Sequence, residues 1–308
     1  MYKACYLNLS KENWHERVQI ALEKLEKCDL CPHVCAVCRT QNQQGICKTG
    51  RKAIISSFGP HMGEEDCLRG KKGSGTIFFS RCNLLCVFCQ NCDISHYGEG
   101  YEVTADNLAG IMLEIQNYGC HNLNLVTPGH VVPQILESLE IAVNNGLSIP
   151  IVYNTNGYDS LNTLKLLDGI VDIYMPDIKF LDPEICQKFT VARNYGEMVK
   201  IAVKEMHRQV GDLTISENGL ATRGLLVRHL VMPDNVCNIR EIMNFLVKDI
   251  SPHTYVNLMS QYHPAGAAWG LAELRRAITR EEFEDAYQQA LEAGIHRFDS
   301  RPLRRFFW

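Results

Sequence analysis

Three cysteines stand at the spacing C-x3-C-x2-C in the stretch Arg81-Cys82-Asn83-Leu84-Leu85-Cys86-Val87-Phe88-Cys89-Gln90-Asn91-Cys92. They follow directly on an apolar, β-rich run, Gly75-Thr76-Ile77-Phe78-Phe79-Ser80. A short loop with those gaps wraps one side of a cubane and gives one sulfur to each of three irons. Thiolate is the soft ligand that iron–sulfur clusters take. With only three ligands the fourth iron stays open, which separates a catalytic cluster from a closed electron-transfer cluster. Four thiolates also suit structural zinc, with Cys92 as the fourth ligand. Zinc sites usually split their ligands into two C-x2-C pairs, whereas here all four crowd into one turn. The spacing therefore favours a [4Fe-4S] cluster on Cys82, Cys86 and Cys89, with Cys92 packed beside it.

A second set precedes this loop. Cys28, Cys31, Cys35 and Cys38 lie within Cys28-Asp29-Leu30-Cys31-Pro32-His33-Val34-Cys35-Ala36-Val37-Cys38, and Cys47 follows Gly45-Ile46. Five cysteines and a histidine are more than packing needs. C-x2-C-x3-C with a later cysteine is ligand spacing, for zinc or an auxiliary iron–sulfur cluster. Cys28, Cys31, Cys35 and Cys47 are the better four and Cys38 is the spare. The alternative is a reduced loop that only covers the fold.

The 308 residues allow one large domain with a small appendage, and 46% apolar residues suffice for a sizeable core. A net charge of −4 argues against a broad nucleic-acid surface. No apolar run is long enough for a membrane span, and no signal-peptide core opens the chain. Fourteen cysteines in such a chain point to metal and a reducing cytoplasm.

The elements that must position these cysteines read as follows. Ser10 caps an amphipathic helix over 10–27, with Trp14, Val18, Ala21, Leu22 and Leu25 at helical spacing. Apolar strand-length runs lie near 76–80, 122–126, 149–153, 171–175, 225–231 and 254–258. Helical periodicity fills 104–117, 132–145, 160–167, 183–210, 236–249 and 279–293. Continuous apolar strands alternating with helices imply a parallel sheet. The expected fold is α/β, a partial (β/α)6 TIM-type barrel over 75–308, with a helix and cysteine-rich extension over 1–74. Chemistry in such barrels sits at the C-terminal strand ends, where the cysteine loop falls. Those ends also carry Thr127, Asn154, Thr155, Asp177, Lys179, Arg228, His229, Gln261, Tyr262 and His263. Glu64 or Glu65 is a further candidate for the cluster mouth.

The cysteine loop, with Phe88 as the aromatic before its last cysteine, resembles that of the radical S-adenosylmethionine (SAM) superfamily. That resemblance implies a [4Fe-4S] cluster whose open iron is chelated by the methionine amine and carboxylate of SAM. More of the chain is similar to members related to pyruvate formate-lyase activating enzyme, in particular to a poorly characterised group of that kind. The carrying residues are Cys31-Pro32-His33-Val34-Cys35, Gly73 to Phe79, the cluster loop, Thr127-Pro128, Arg228-His229-Leu230 and Met259-Ser260-Gln261-Tyr262. Asn154-Thr155-Asn156-Gly157 is similar to the activases' Asp-Thr-Asn-Gly, and Asp177 and Lys179 match their Asp-x-Lys. By resemblance these residues, with a group near Met175, hold the SAM carboxylate and a monovalent cation, although Asn154 lacks the charge. Many relatives use Gly-Gly-Glu for the methionine amine. Here Thr127-Pro128-Gly129 leaves that bond to carbonyls or the Thr127 hydroxyl.

The resemblance implies a radical SAM oxidoreductase served by an electron donor such as flavodoxin or ferredoxin. Its substrate is then a glycyl-radical partner protein, or else a peptide or small metabolite. Arg228 then joins the cofactor pocket or holds a substrate carboxylate or peptide carbonyl. A metal-stabilised binding protein without turnover is the alternative, and it would need a closed site using Cys92.

Overall fold

The computed structural model describes residues 2–300; residues 301–308, at the far end of the expected barrel unit, lie outside them. The strands are β1 (Ala53–His61), β2 (Ser74–Phe79), β3 (Tyr101–Val103), β4 (Leu123–Val126), β5 (Ile151–Thr155), β6 (Ile173–Pro176), β7 (Thr214–Ile215), β8 (Ala221–Leu230), β9 (Tyr255–Met259) and β10 (Arg297–Phe298). They form one sheet in the order β10-β9-β8-β6-β5-β4-β2-β1-β3, with β7 beside β8. From β2 to β10 along that path every pairing is parallel. The six expected strands are β2, β4, β5, β6, β8 and β9, in sequence order across the sheet. Among the described residues the sheet ends at β3 and β10 and does not close, so the architecture is a partial barrel.

β1 was not legible as a strand. Gly59 and Pro60 interrupt its pattern, and the register shifts between Ile55 and Ser57. Its outward residues are half-exposed or exposed, as suits a strand near the sheet's margin. It lies on the extension side of the expected division at 74/75, yet it pairs antiparallel with β2.

The helices are α1 (Lys11–Glu23), α2 (Asp66–Arg69), α3 (Ala105–Asn117), α4 (Val132–Asn144), α5 (Leu161–Leu166), α6 (Pro183–Phe189), α7 (Tyr195–Val210), α8 (Ile239–Phe245) and α9 (Arg280–Ala293). Ser10 caps α1 by accepting from Asn13 N–H. Thr279 and Glu282 form a reciprocal capping box on α9, and Gly294 ends it at a left-handed φ of 108°.

The single helix expected over 183–210 is two helices. Thr190 is extended, and its hydroxyl donates to Cys186 O at 2.7 Å. The reason for the break is tertiary. Val87 N–H donates to Phe189 O at 3.0 Å, and Val191 N–H donates to Leu84 O at 3.2 Å. The opened backbone is thus bonded to the cysteine loop instead of to itself.

Register stacks the interior in layers. Thr76, Asn124, Val152 and Ile173 are mutual neighbours, and two residues higher so are Phe78, Val126, Asn154 and Met175. Much of the interior beneath is apolar: Val152, Ile173, Met175 and Leu226 cluster with Cys67 and Leu68 of α2. The short helix α2 therefore plugs the N-terminal end of the curled sheet. Thr76 and Asn124 are buried polar members of that lower layer, and the candidate site residues gather at the C-terminal end.

Two buried histidines tie backbone near that end. His130 bonds through Nε2 to Ser80 O at 3.0 Å, and His229 through Nδ1 to Ile178 O at 2.7 Å. A carbonyl only accepts, so each of those nitrogens carries the proton. Burial first of all holds both rings neutral, lowering each from the usual 6.5 to about 4. The folded values are depressed, so the unfolded chain binds more protons between pH 6.5 and 4. This stability is present above pH 6.5 and is lost as pH falls toward 4, by about 3 kcal/mol per histidine. Equilibrium denaturation should show that loss, and a His130→Gln/His229→Gln chain should lose less between the same two pH values. An unchanged pH slope in that variant would contradict this assignment.

Candidate functional site

β2 delivers the chain into the cysteine loop, and backbone bonds fix the loop at both flanks. Ser80 N–H donates to Ile54 O at 2.8 Å and Arg81 N–H to Ile94 O at 3.0 Å. Arg81 and Leu85 take left-handed φ values of 72° and 46°, which turn the loop tightly. Phe88 is 4% exposed and stands edge-on to Phe180 at 5.7 Å, which in turn packs on Phe189 of α6. The aromatic before the last cysteine is thus a structural wedge under the loop as well as part of the cavity wall.

Cys82, Cys86 and Cys89 line one open cavity of about 610 Å³ at the C-terminal end of the sheet. Donors converge on two of the sulfurs. Leu84 N–H and Asn156 Nδ2 each lie 3.3 Å from Cys82 Sγ, and the Ser95 hydroxyl donates to Cys89 Sγ at 3.1 Å. Burial pushes the Cys82 and Cys86 thiols up, and for Cys86 the Lys179 charge opposes that. Donors to sulfur and a nearby ammonium stabilise thiolate, the form that a cluster binds. The donor set therefore fits an anionic iron–sulfur centre. Cys92 does not line the cavity; its Sγ faces Asp93 Oδ1 at 3.9 Å.

All seven residues expected around the cofactor, Phe88, Thr127, Asn154, Thr155, Asp177, Lys179 and Arg228, line this same cavity. Thr127 ends β4 with a left-handed φ of 59°, unusual for a β-branched residue. Its N–H donates to Asn154 O at 2.8 Å. Lys179 Nζ lies 2.5 Å from Asp177 Oδ2. Burial works against the Lys179 charge, but Asp177 and Cys86 outweigh it and raise its pKa. An ammonium of the chain itself therefore pairs with the carboxylate for which a monovalent cation was expected.

Arg228 is not the free fork that its place on the rim suggested. Nε and Nη2 bond to Glu65 Oε1 and Oε2 at 2.8 and 2.7 Å, and Nη2 also bonds to Glu64. Asn257 Nδ2 donates to Glu65 Oε1 at 2.6 Å. Burial opposes ionisation of Glu64, but Arg228 and His61 hold it down to about 2. Two carboxylates share one guanidinium, and of the two Glu64 lines the cavity.

Among the other rim candidates, Gln261 lines the cavity. His229 is buried on the far face of β8, and the Tyr262 hydroxyl donates to Leu274 O at 2.6 Å. His263 is exposed, with Nδ1 3.1 Å from Gln90 Nε2. Side chains alternate along a strand, so Arg228 facing inward sends His229 outward. Asn156, named in the sequence only as part of the Asn154–Gly157 motif, also lines the cavity, and Asn257 is a site residue that the sequence reading passed over. Asn257 had a signal, a lone amide inside the apolar strand Tyr255-Val256-Asn257-Leu258-Met259.

Cys28, Cys31, Cys35 and Cys47 line a second, small pocket, which Cys38 does not join. Burial pushes the Cys31 thiol up to about 12. None of the fourteen cysteines is in a disulfide. Among the described residues, no three His, Cys, Asp or Glu side chains converge on a point that would hold a single metal ion. No helix of the described residues is long and apolar enough to cross a membrane.

Comparison with known proteins gives the family. An uncharacterized protein of Methanocaldococcus jannaschii is 32% identical over 89% of this chain and 77% of its own length. The pyruvate formate-lyase-activating enzyme of Clostridium pasteurianum is 27% identical over 62% of this chain and 75% of its own. Two solved structures of anSMEcpe with bound AdoMet align with TM-scores of 0.47 and 0.46 at 12% and 13% identity. Each alignment covers 71% of this chain, and the chain spans 61% and 58% of those proteins. The radical SAM superfamily profile matches residues 76–246, more than half of the chain, from β2 through the cysteine loop into α8. The chain belongs to the radical SAM superfamily.

Proposed function

We propose that this chain cleaves SAM reductively at a [4Fe-4S] cluster held by Cys82, Cys86 and Cys89, and directs the radical to a protein or peptide substrate. The observation that carries the reading is the shared cavity. Three sulfurs, the Asp177–Lys179 pair, and Asn154 and Thr155 all line it. When bound, cluster and SAM supply the radical chemistry: one electron splits SAM into methionine and a 5′-deoxyadenosyl radical, which takes a hydrogen atom from the substrate.

The chain's own residues bind and orient. Lys179, fixed by Asp177 and close to Cys86, would carry the methionine carboxylate. The Thr127 hydroxyl or the carbonyls of its strained turn would accept from the methionine amine. The apolar cluster around α2 closes the lower end of the cavity. The electron comes from a donor protein such as flavodoxin or ferredoxin.

For the substrate, the likeness to the clostridial activating enzyme supports a glycyl-radical partner. Gln90, Gln261 and Glu64 on the cavity wall offer amide and carboxylate groups suited to a peptide backbone. Modification of a peptide or small metabolite is the second reading. The Glu64 carboxylate on the cavity wall beside Arg228 favours it where that substrate carries an amine.

The reconstituted chain given SAM and dithionite should release methionine and 5′-deoxyadenosine. A glycyl-radical partner deuterated at its glycine α-carbon should put one deuterium into that 5′-deoxyadenosine. Label arriving only from a small amine or peptide, with no protein-borne radical, would move the assignment to the second reading.

Cys82→Ala, Cys86→Ala and Cys89→Ala should each abolish SAM cleavage, and Cys92→Ala should retain it. Loss in Cys92→Ala with retention in Cys86→Ala would overturn the ligand set. Asp177→Ala should weaken SAM binding by about tenfold or more, a loss of about 1.4 kcal/mol, at unchanged cluster iron. Unchanged SAM affinity would remove the role given to the Asp177–Lys179 pair.

A further inference from the structure

The pocket of Cys28, Cys31, Cys35 and Cys47 is separate from the SAM cavity and also carries Arg39, His33 and Gly45 on its wall. The backbone is folded to bring these sulfurs together. Cys28 N–H donates to Val37 O at 3.0 Å, and Ala36 N–H donates to Cys28 O at 2.9 Å, which closes 28–37 into a narrow loop. Val34 and Ala36 sit at left-handed φ values of 44° and 53° within it. At position 45 a Cβ would fall 2.6 Å from Cys35 Sγ, so glycine lets the second half of the loop close onto the sulfur.

Arg39 is the second observation. It is 1% exposed. Its Nε donates to Gly50 O at 3.1 Å, and its Nη1 donates to His130 O at 2.8 Å and stands 3.9 Å from Cys28 Sγ. Nη2 is buried with no protein partner. These partners are carbonyls and a sulfur, none of them a carboxylate. A buried guanidinium without a counter-charge is strongly destabilising. Four thiolates around a metal centre would supply the missing negative charge.

We propose that Cys28, Cys31, Cys35 and Cys47 hold a second, closed iron–sulfur cluster whose negative charge Arg39 balances. Two observations favour a cluster over a zinc ion. The four sulfurs share one pocket wall, yet no three of the described ligand-type side chains converge on a single ion, as tetrahedral zinc requires. The pocket is also joined to the first cysteine loop. His33, between Cys31 and Cys35, has Nε2 2.7 Å from Asn83 O. Asn83 is the residue after Cys82, and its Oδ1 accepts from Asn156 Nδ2 at 2.8 Å, the same amide that faces Cys82 Sγ. One hydrogen bond thus ties the His33 side chain of the first ligand loop to the backbone of the second. With all four ligands supplied by the protein, the second centre has no open iron for SAM. The proposal does not depend on the SAM chemistry of the first.

Two variants test it, each reconstituted anaerobically with iron and sulfide. In the Cys28→Ser/Cys35→Ser chain, iron and acid-labile sulfide should each fall from about eight to about four per chain. In the Cys82→Ala/Cys86→Ala/Cys89→Ala chain, about four of each should remain, and the reduced protein's spin-resonance signal should ignore SAM. Adding Arg39→Gln to that chain should move the remaining centre to a more negative potential. Undiminished iron in the first variant would overturn the proposal. So would zinc without sulfide, or no metal in a normally folded chain, in the second. An unchanged potential would remove Arg39 as the counter-charge.

Discussion

A thiolate buried at a strand end is stable only where its charge is met, and much of this structure answers that requirement. Cys82 and Cys86 are 9% and 8% exposed, and burial alone favours their neutral forms. Leu84 N–H, Asn156 Nδ2 and the Ser95 hydroxyl point at sulfur, and Lys179 faces Cys86. These groups are useful only if the loop keeps its shape. The loop keeps its shape because the backbone between α6 and α7 is open and bonded to Leu84 and Val87. A helix is therefore interrupted, with loss of its internal bonds, so that the cysteine loop has partners.

The open sheet divides the remaining labour. Its lower interior is sealed by Cys67 and Leu68 of α2 against Val152, Ile173, Met175 and Leu226. Glu64 and Glu65 immediately precede that helix and reach Arg228 on β8, while Asn257 on β9 also holds Glu65. Removing one member of such a buried charge group typically costs about 3–5 kcal/mol, because the other is left unpaired. This group fastens the plug to two strands and sets the floor of the cavity. A residue that the sequence offers for substrate binding is thereby part of the scaffold.

What the sequence made legible was local or periodic. The cysteine spacing lies within one turn, so placing Cys82, Cys86 and Cys89 in one cavity needed no tertiary knowledge. The strands β2, β4, β5 and β6 are buried along almost their whole length and read as continuous apolar runs. The rule that chemistry sits at strand ends then gathered Thr127, Asn154, Thr155, Asp177, Lys179 and Arg228 into one cavity. What stayed illegible was set by distant partners. The break after Phe189 answers to Leu84 and Val87, and the partners of Arg228 lie 163 and 164 residues away. His229 and Tyr262 stand at strand ends yet do not line the cavity, because a rim position does not reveal which way a side chain points. Strand parity counted from Arg228 would have corrected the first of these.

The central claim is that three cysteines leave one iron open to SAM in the cavity beside Lys179 and Asp177. Spin resonance of the reduced, reconstituted protein with and without SAM tests this most directly. Coordination of the amine and carboxylate at one iron predicts a changed spectrum on adding SAM, and no change in the Cys86→Ala chain. An intact reduced cluster whose spectrum is the same with and without saturating SAM would contradict the account.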